Sequence, residues 1–168
     1  MDIKRAARHL LTSPKAVSRA FPPPALAAIE LAIAQSERRH RGQLRFAVEA
    51  ALDAGALLAG QTPRERALEV FAQLGVWDTE ENNGVLIYLL LADHDIEIVA
   101  DRGIARCVPP AEWERVCRML EARLKDGQHE LGVVEAIAAA TELLAHHFPP
   151  RGEGRNELPD APVLIRGR

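Results

Sequence analysis

Apolar residues recur along the chain with two different periods, and the switches between them mark out the elements. Ile3, Ala7, Leu10 and Leu11 fall on one stripe at helical spacing. Ser13-Pro14 then reads as an N-cap followed by the first residue of a second short helix. Pro22–Pro24 breaks the chain and opens a longer helix, with Leu26, Ile29 and Ile33 on its buried face, running to about Arg39. From Gln43 the period drops to two. Leu44, Phe46, Val48 and Ala50 point one way and Gln43, Arg45, Ala47 and Glu49 the other, which predicts a half-buried strand. Asp53–Gly60 reads as a small-residue loop. Thr62-Pro63-Arg64-Glu65 is a capping box with Pro at the first helical position, and the stripe Ala67, Val70, Phe71, Leu74 ends at Gly75.

Gly84–Ala92 is apolar throughout and follows the turn-like Asn82-Asn83-Gly84, so it predicts a central strand covered on both faces. Asp93-His94 reads as a two-residue turn into a hairpin partner, Asp95–Asp101, with Ile96, Ile98 and Ala100 on one side. That turn would set Leu86 near Asp101 and Gly84 near Gly103. Pro109-Pro110 opens a helix carrying Trp113, Val116, Cys117, Leu120 and Leu124, which Asp126-Gly127 closes. A last helix carries Val133, Val134, Ile137, Ala140 and Leu144 and stops at Pro149-Pro150. From Arg151 the chain reads as a loose tail. Its apolar island Ala161–Ile165 predicts either an added edge strand or a docking peptide. The expected fold is α/β: a small mixed sheet, made of a parallel strand-helix-strand unit plus an antiparallel hairpin, sandwiched between helices. The expected organisation is an N-terminal helical extension (1–23), an α/β domain (24–148) and a flexible C-terminal tail (149–168).

Composition narrows the class. A chain of 168 residues, 48% hydrophobic and 27% charged, can bury one domain core. No apolar run spans a bilayer, and the charged start does not read as a signal peptide. A net charge of −3 argues against bulk nucleic-acid binding. Cys107 and Cys117 form no disulfide framework and read as reduced packing thiols, in keeping with a cytoplasmic protein. The charge is uneven. Residues 1–45 carry nine Lys/Arg and three Asp/Glu, a net of +6, and the remainder carries −9. The span Val76–Asp101 holds seven acids and no Lys or Arg, a composition that suits cations better than anions. The basic amphipathic start could lie on a membrane surface or pack on the domain.

Residues 81–104, ENNGVLIYLLLADHDIEIVADRGI, combine an NNG turn, an apolar strand, a tight turn containing Asp, a second strand and a Gly. In this they resemble the TPM domain family, also described as the TPM phosphatase domain. The resemblance reaches back to the strand at Leu44 and forward through the two C-terminal helices, and it is closest to the short branch without a membrane anchor. It implies an α/β sandwich. It also implies two functions: divalent-cation binding with assembly of membrane complexes, with a LemA-type membrane protein as partner, or acid phosphatase activity. Two positions depart from the family pattern. The hairpin turn has Asp93-His94 in place of Asp-Arg, and the helix corner has Gly127-Gln128-His129 in place of a Gly-Asp-Tyr-like sequence.

The expected sheet separates the acids into two groups about eight residues apart, on the order of 26 Å at ~3.3 Å per residue. The hairpin end lies at the carboxyl ends of the parallel strands, where α/β sheets form their crevice. Glu49, Asp93, Asp95, Asp126 and Glu130 are the candidate metal ligands there. Their hard oxygens favour calcium, ahead of magnesium, over zinc. His94 beside Asp93 is a candidate general acid. The other end gathers Asn82, Asn83, Gly84, Asp101, Arg102 and Gly103, either as a secondary site or as a turn. No nucleophile elbow, Gly-rich phosphate loop or zinc spacing is visible, which favours a binding and assembly module over a metal-dependent acid phosphatase. An arginine directed into the crevice would favour the phosphatase, and Arg45 is the residue to follow.

Overall fold

In the computed structural model, which describes residues 2–152 and 155–165, four strands hydrogen-bond in one mixed sheet. They are β1 (Gln43–Glu49), β2 (Gly84–Leu90), β3 (Asp95–Ala100) and β4 (Val163–Ile165), in the order β3-β2-β1-β4. β1 runs parallel to both β2 and β4, and β3 returns antiparallel to β2. The helices are α1 (Ile3–Leu11), α2 (Lys15–Ala20), α3 (Pro23–Ser36), α4 (Ala54–Leu58), α5 (Pro63–Gln73), α6 (Arg102–Ala105), α7 (Pro110–Lys125) and α8 (His129–His147). The α/β sandwich is the architecture expected from the sequence.

Alternation along the strands divides the interior into two cores. Leu44, Phe46 and Val48 pack with Ile87, Leu89 and Ile98 under α3, α7 and α8. Ala47, Leu86, Tyr88 and Val99 pack under α4 and α5, against Leu57, Ala67 and Val70. The proline starts of α3 and α7 and the reciprocal Thr62–Glu65 capping box of α5 form as the sequence requires. Val17 and Phe21 are buried in the first core, so the N-terminal extension is packed into the domain.

Four local expectations are corrected. Asp53–Gly60 holds α4, because the Asp53 carboxylate accepts the Ala56 N–H at 2.8 Å and nucleates a turn. Asp101 likewise caps α6, which ends the hairpin strand at Ala100. The hairpin connection takes Leu91–His94: Leu91–Asp93 form a 3₁₀ turn and His94 adopts φ 53°. Leu86 therefore faces Val99, not Asp101. The shift is two residues, so every side chain keeps its face. Finally, residues after Arg151 are not a loose tail throughout, since Leu158 is buried and Val163–Ile165 adds the edge strand β4 beside β1.

β4 explains why β1 is not half-buried. Its polar-facing residues are enclosed as fully as its apolar ones: Gln43 is 4% exposed, Arg45 7% and Glu49 2%. Each has a partner. Gln43 Oε1 accepts from the Glu157 and Leu158 N–H groups at 2.7 and 3.0 Å. Arg45 donates to the carbonyls of Pro159 and Ala161. Next to it, Glu37 Oε1 accepts the Leu44 N–H at 2.8 Å. Burial, reinforced by the Asp160 carboxylate and opposed by the Leu44 hydrogen bond, pushes the Glu37 carboxyl up to about 8.

A carboxyl held above its unfolded value of 4.5 binds its proton more tightly in the folded chain. That stability is complete in acid and is lost as pH rises toward about 8. Urea titrations should show stability falling from about pH 4.5 to about pH 8 in the wild type, and levelling off above that. Glu37→Gln keeps the acceptor for Leu44 and should flatten the fall; an unchanged slope would show that Glu37 does not carry it.

Candidate functional site at the carboxyl end of the sheet

The carboxyl ends of β1 and β2 open on a cleft of about 940 Å³, bordered by Glu49, Asp53, Glu65, Arg66, Glu69 and Ile165. Glu49 holds the floor. Arg66, brought over from α5, grips it with two hydrogen bonds, Nε to Oε2 at 2.9 Å and Nη2 to Oε1 at 3.1 Å. The Tyr88 hydroxyl donates to the same Oε2 at 2.7 Å. Arg66 also donates to Glu69 at 3.0 Å. The hydrogen bond to Glu49 raises the Arg66 guanidinium above its ordinary value. Burial first, then the Glu49 charge, pushes the Tyr88 hydroxyl well up. Glu49 is thus committed to a buried ion pair. Arg66, the one arginine bordering the cleft among the described residues, is answered by two carboxylates and is not available for an anion.

Asp93 is also occupied, by a partner the sequence did not predict. α1 lies across the hairpin turn. Arg5 reaches Asp93 Oδ2 at 2.9 Å through Nε and 2.8 Å through Nη2. Arg8 and His9 reach Oδ1 at 3.2 and 3.0 Å. His9 Nδ1 accepts the Leu52 N–H at 3.0 Å, so its proton sits on Nε2, facing Asp93. Burial works to raise the Asp93 carboxyl, but the hydrogen bonds from Arg5 and His9 outweigh it and hold the group below its usual range.

The remaining hairpin-end acids are separate. Asp95 lines a groove of about 580 Å³ between β3 and α7, with Glu97, Cys117 and Glu121. Burial, then the charges of Glu97, Asp93 and Glu121, pushes Asp95 up to about 6. Asp126 and Glu130 sit exposed at the α7–α8 corner. That corner does return to the hairpin end, but the residue it delivers is His129, which shares a groove with His94 and Leu91. The five expected ligands therefore do not converge. Among the described residues no group of three or more His, Cys, Asp or Glu is arranged to hold a metal ion. Arg45 lies at the C-terminal segment, not in the crevice. Burial first pushes the Cys117 thiol up to about 12, consistent with an inert packing role, whereas Cys107 is exposed.

At the opposite end the six candidate residues do meet, and their geometry accounts for the motif. Asn82 takes φ 52°, and its carbonyl accepts the Gly103 N–H at 2.9 Å. A Cβ on Gly103 would stand 2.5 Å from Asn82 O, and one on Gly84 1.9 Å from Val76 O. The buried Asn83 side chain donates to the Arg41 carbonyl, and Arg102 Nε donates to Asn82 Oδ1 at 3.0 Å. Asp101 Oδ1 caps Arg102 N at 2.7 Å. The NNG turn, Asp101 and Gly103 thus form a latch between the start of β2 and the end of β3.

Two substitutions test these assignments. Gly103→Ala must displace backbone rather than a flexible side chain, so it should cost about 1–3 kcal/mol, read as a lower urea midpoint at unchanged slope. Arg66→Met leaves the Glu49 carboxyl buried without its ion-pair partner. It should cost about 3–5 kcal/mol, and much of the loss should return when Glu49→Gln is added. Additive effects would show that the pair is not coupled.

Residues 18–143 match the family model of the TPM domain. The chain is also similar to the BA42 protein of the psychrophilic bacterium Bizionia argentinensis, with a TM-score of 0.74 and 28% identity over 84% of this chain and 93% of that one. The N-terminal domain of a P. gingivalis protein shares the fold at a TM-score of 0.54 and 17% identity, over 71% of this chain and 74% of that one. No curated protein matches it. Since the matched span takes in the whole sheet core from β1 to β3 and the latch that joins its strands, the chain belongs to the TPM domain family.

Proposed function

We propose that the chain acts as a binding and assembly module, not a hydrolase. The observation that carries this reading is the state of Arg66. Among the described residues, the one arginine bordering the carboxyl-end cleft is gripped by Glu49 and Glu69, so the described lining is net acidic. Phosphoryl transfer needs uncommitted positive groups or a metal clamp aimed at the phosphoryl oxygens, together with an activated nucleophile. The ionisable side chains bordering this cleft serve a cation or a basic segment of a partner protein better. The resemblance to the family makes a LemA-type membrane protein the partner class to test first.

The divalent-cation part of the reading now rests on Asp95, which lines the β3–α7 groove with Glu97 and Glu121. Asp95 carries no ion-pair partner among the described residues, whereas Glu49 and Asp93 do. Burial first, and then the like charges of Glu97, Asp93 and Glu121, hold the Asp95 carboxyl up to about 6, and a bound cation would relieve the like-charge part. Calcium, which accepts a loose set of oxygens, suits such a site better than magnesium.

Chelator-stripped protein should show a saturable rise in melting temperature with calcium, larger than with magnesium, that is absent in Asp95→Asn and weakens below about pH 6. Asp93→Asn is unsuitable for this test, since it also releases α1. No shift at millimolar cation would sink the cation part. Turnover of a phosphate monoester that survives purification and disappears in Arg66→Met would overturn the module reading in favour of the phosphatase.

A further inference from the structure

α1 is docked by the wrong face for a core helix. Its charged stripe, Arg5, Arg8 and His9, turns toward Asp93, and His9 is only 2% exposed. Its apolar stripe turns outward: Ile3 is 76% exposed, Leu10 79% and Leu11 85%. Amphipathic helices of globular proteins normally do the opposite, burying the apolar stripe and solvating the charges. The ion pairs to Asp93 therefore fix the orientation in which three large apolar side chains face away from the protein.

What surrounds those side chains is basic. Residues 2–20 carry five Lys/Arg and one acid, Asp2, whose carboxylate is used to cap α1. Lys4, Lys15 and Arg19 are exposed and have no ion-pair partner among the described residues. Leu11 also borders a groove of about 560 Å³ between α1, α2 and the hairpin turn. Its walls bear Arg8, Arg19, His94 and His129 over an apolar floor that includes Leu91, and among the described residues no carboxylate lines it.

We propose that α1 and α2 form a membrane-surface docking face that binds anionic phospholipid. Leu10, Leu11 and Ile3 enter the headgroup–acyl boundary while Lys15 and Arg19 meet lipid phosphates. An apolar stripe rimmed by Lys and Arg is the chemistry of a helix lying in the interface. Lying rather than crossing is the fitting mode, since no described helix is long and apolar enough to span a bilayer. The charge also argues against a second copy of the chain, because a two-fold contact through this face would bring like charges together. The inference goes beyond the module reading and does not depend on the cation site or on the fate of the carboxyl-end cleft.

The test is flotation of the full chain with vesicles of phosphatidylglycerol and phosphatidylcholine in equal parts, beside pure phosphatidylcholine. Binding should require the anionic lipid and weaken when salt is raised from about 0.05 to about 0.5 M. Leu10→Ser with Leu11→Ser, and separately Lys15→Glu with Arg19→Glu, should each reduce binding by about tenfold or more. All four residues are exposed, so the melting temperatures should stay near that of the wild type, and an unchanged value certifies the fold. Loss of binding in both variants with melting preserved supports the proposal. Absence of binding to anionic vesicles, indifference to lipid charge, or variants that bind like the wild type would overturn it. Self-association that depends on Leu10 and Leu11 would also overturn it, by giving the face to a second copy.

Discussion

The enclosure of β1 is the constraint on which the rest of the structure depends. It pairs with β2 on one side and β4 on the other, and helices cover both of its faces. A strand so placed cannot leave a polar side chain unsatisfied without a large desolvation cost. Gln43, Arg45 and Glu49 nonetheless stand on it. Their partners therefore dictate much of the surrounding structure. Residues 157–161 must cross the sheet to meet Gln43 and Arg45, and α5 must present Arg66 to Glu49. The short strand β4 follows from the first requirement. It lies where the crossing segment arrives, next to β1.

The same arrangement settles how the acids are used. A chain whose first 45 residues carry +6 and whose remainder carries −9 has a strong tendency to pair across that divide, and the ion pairs of α1 with Asp93 are one place where it does so. Glu49 is neutralised separately, from α5. What looks in sequence like an acidic crevice is in space two buried ion-pair clusters plus a few unpaired carboxylates at their margins. The first shape would suit a tightly held metal. The second suits looser electrostatic contacts, which is the physical content of the binding-module reading.

The family motif has a mechanical explanation that needs no ligand. Gly84 and Gly103 sit where another backbone passes too close for any Cβ, and Asn82 takes the left-handed conformation that joins them. Removing one member disturbs the relation of β2 to β3 rather than a single contact. Asp101 serves the latch by capping α6, and Arg102 by reaching back to Asn82.

Local signals were legible. Period-two and helical spacing, the proline starts, the Thr62–Glu65 box and the NNG turn are written within a few residues of one another, so they located the sheet, the main helices and the hairpin. The short helices α4 and α6 were missed because each is nucleated by a single capping Asp in otherwise unremarkable surroundings. The hairpin register was missed because a 3₁₀ turn and a left-handed His94 lengthen the connection without any glycine to announce it. The candidate site depended on longer distances. Asp93 and Glu49 were correctly assigned to the carboxyl end of the sheet, but Arg5 is 88 residues from Asp93, and Pro159 is 114 from Arg45. The charge asymmetry hinted that N-terminal cations would seek acids; nothing in sequence said which. Sequence alone determined the elements and the faces they bury, because these follow from side-chain periodicity and local hydrogen bonding. Only the tertiary structure decided which charges meet, because partner choice is set by where the packed elements bring distant side chains together.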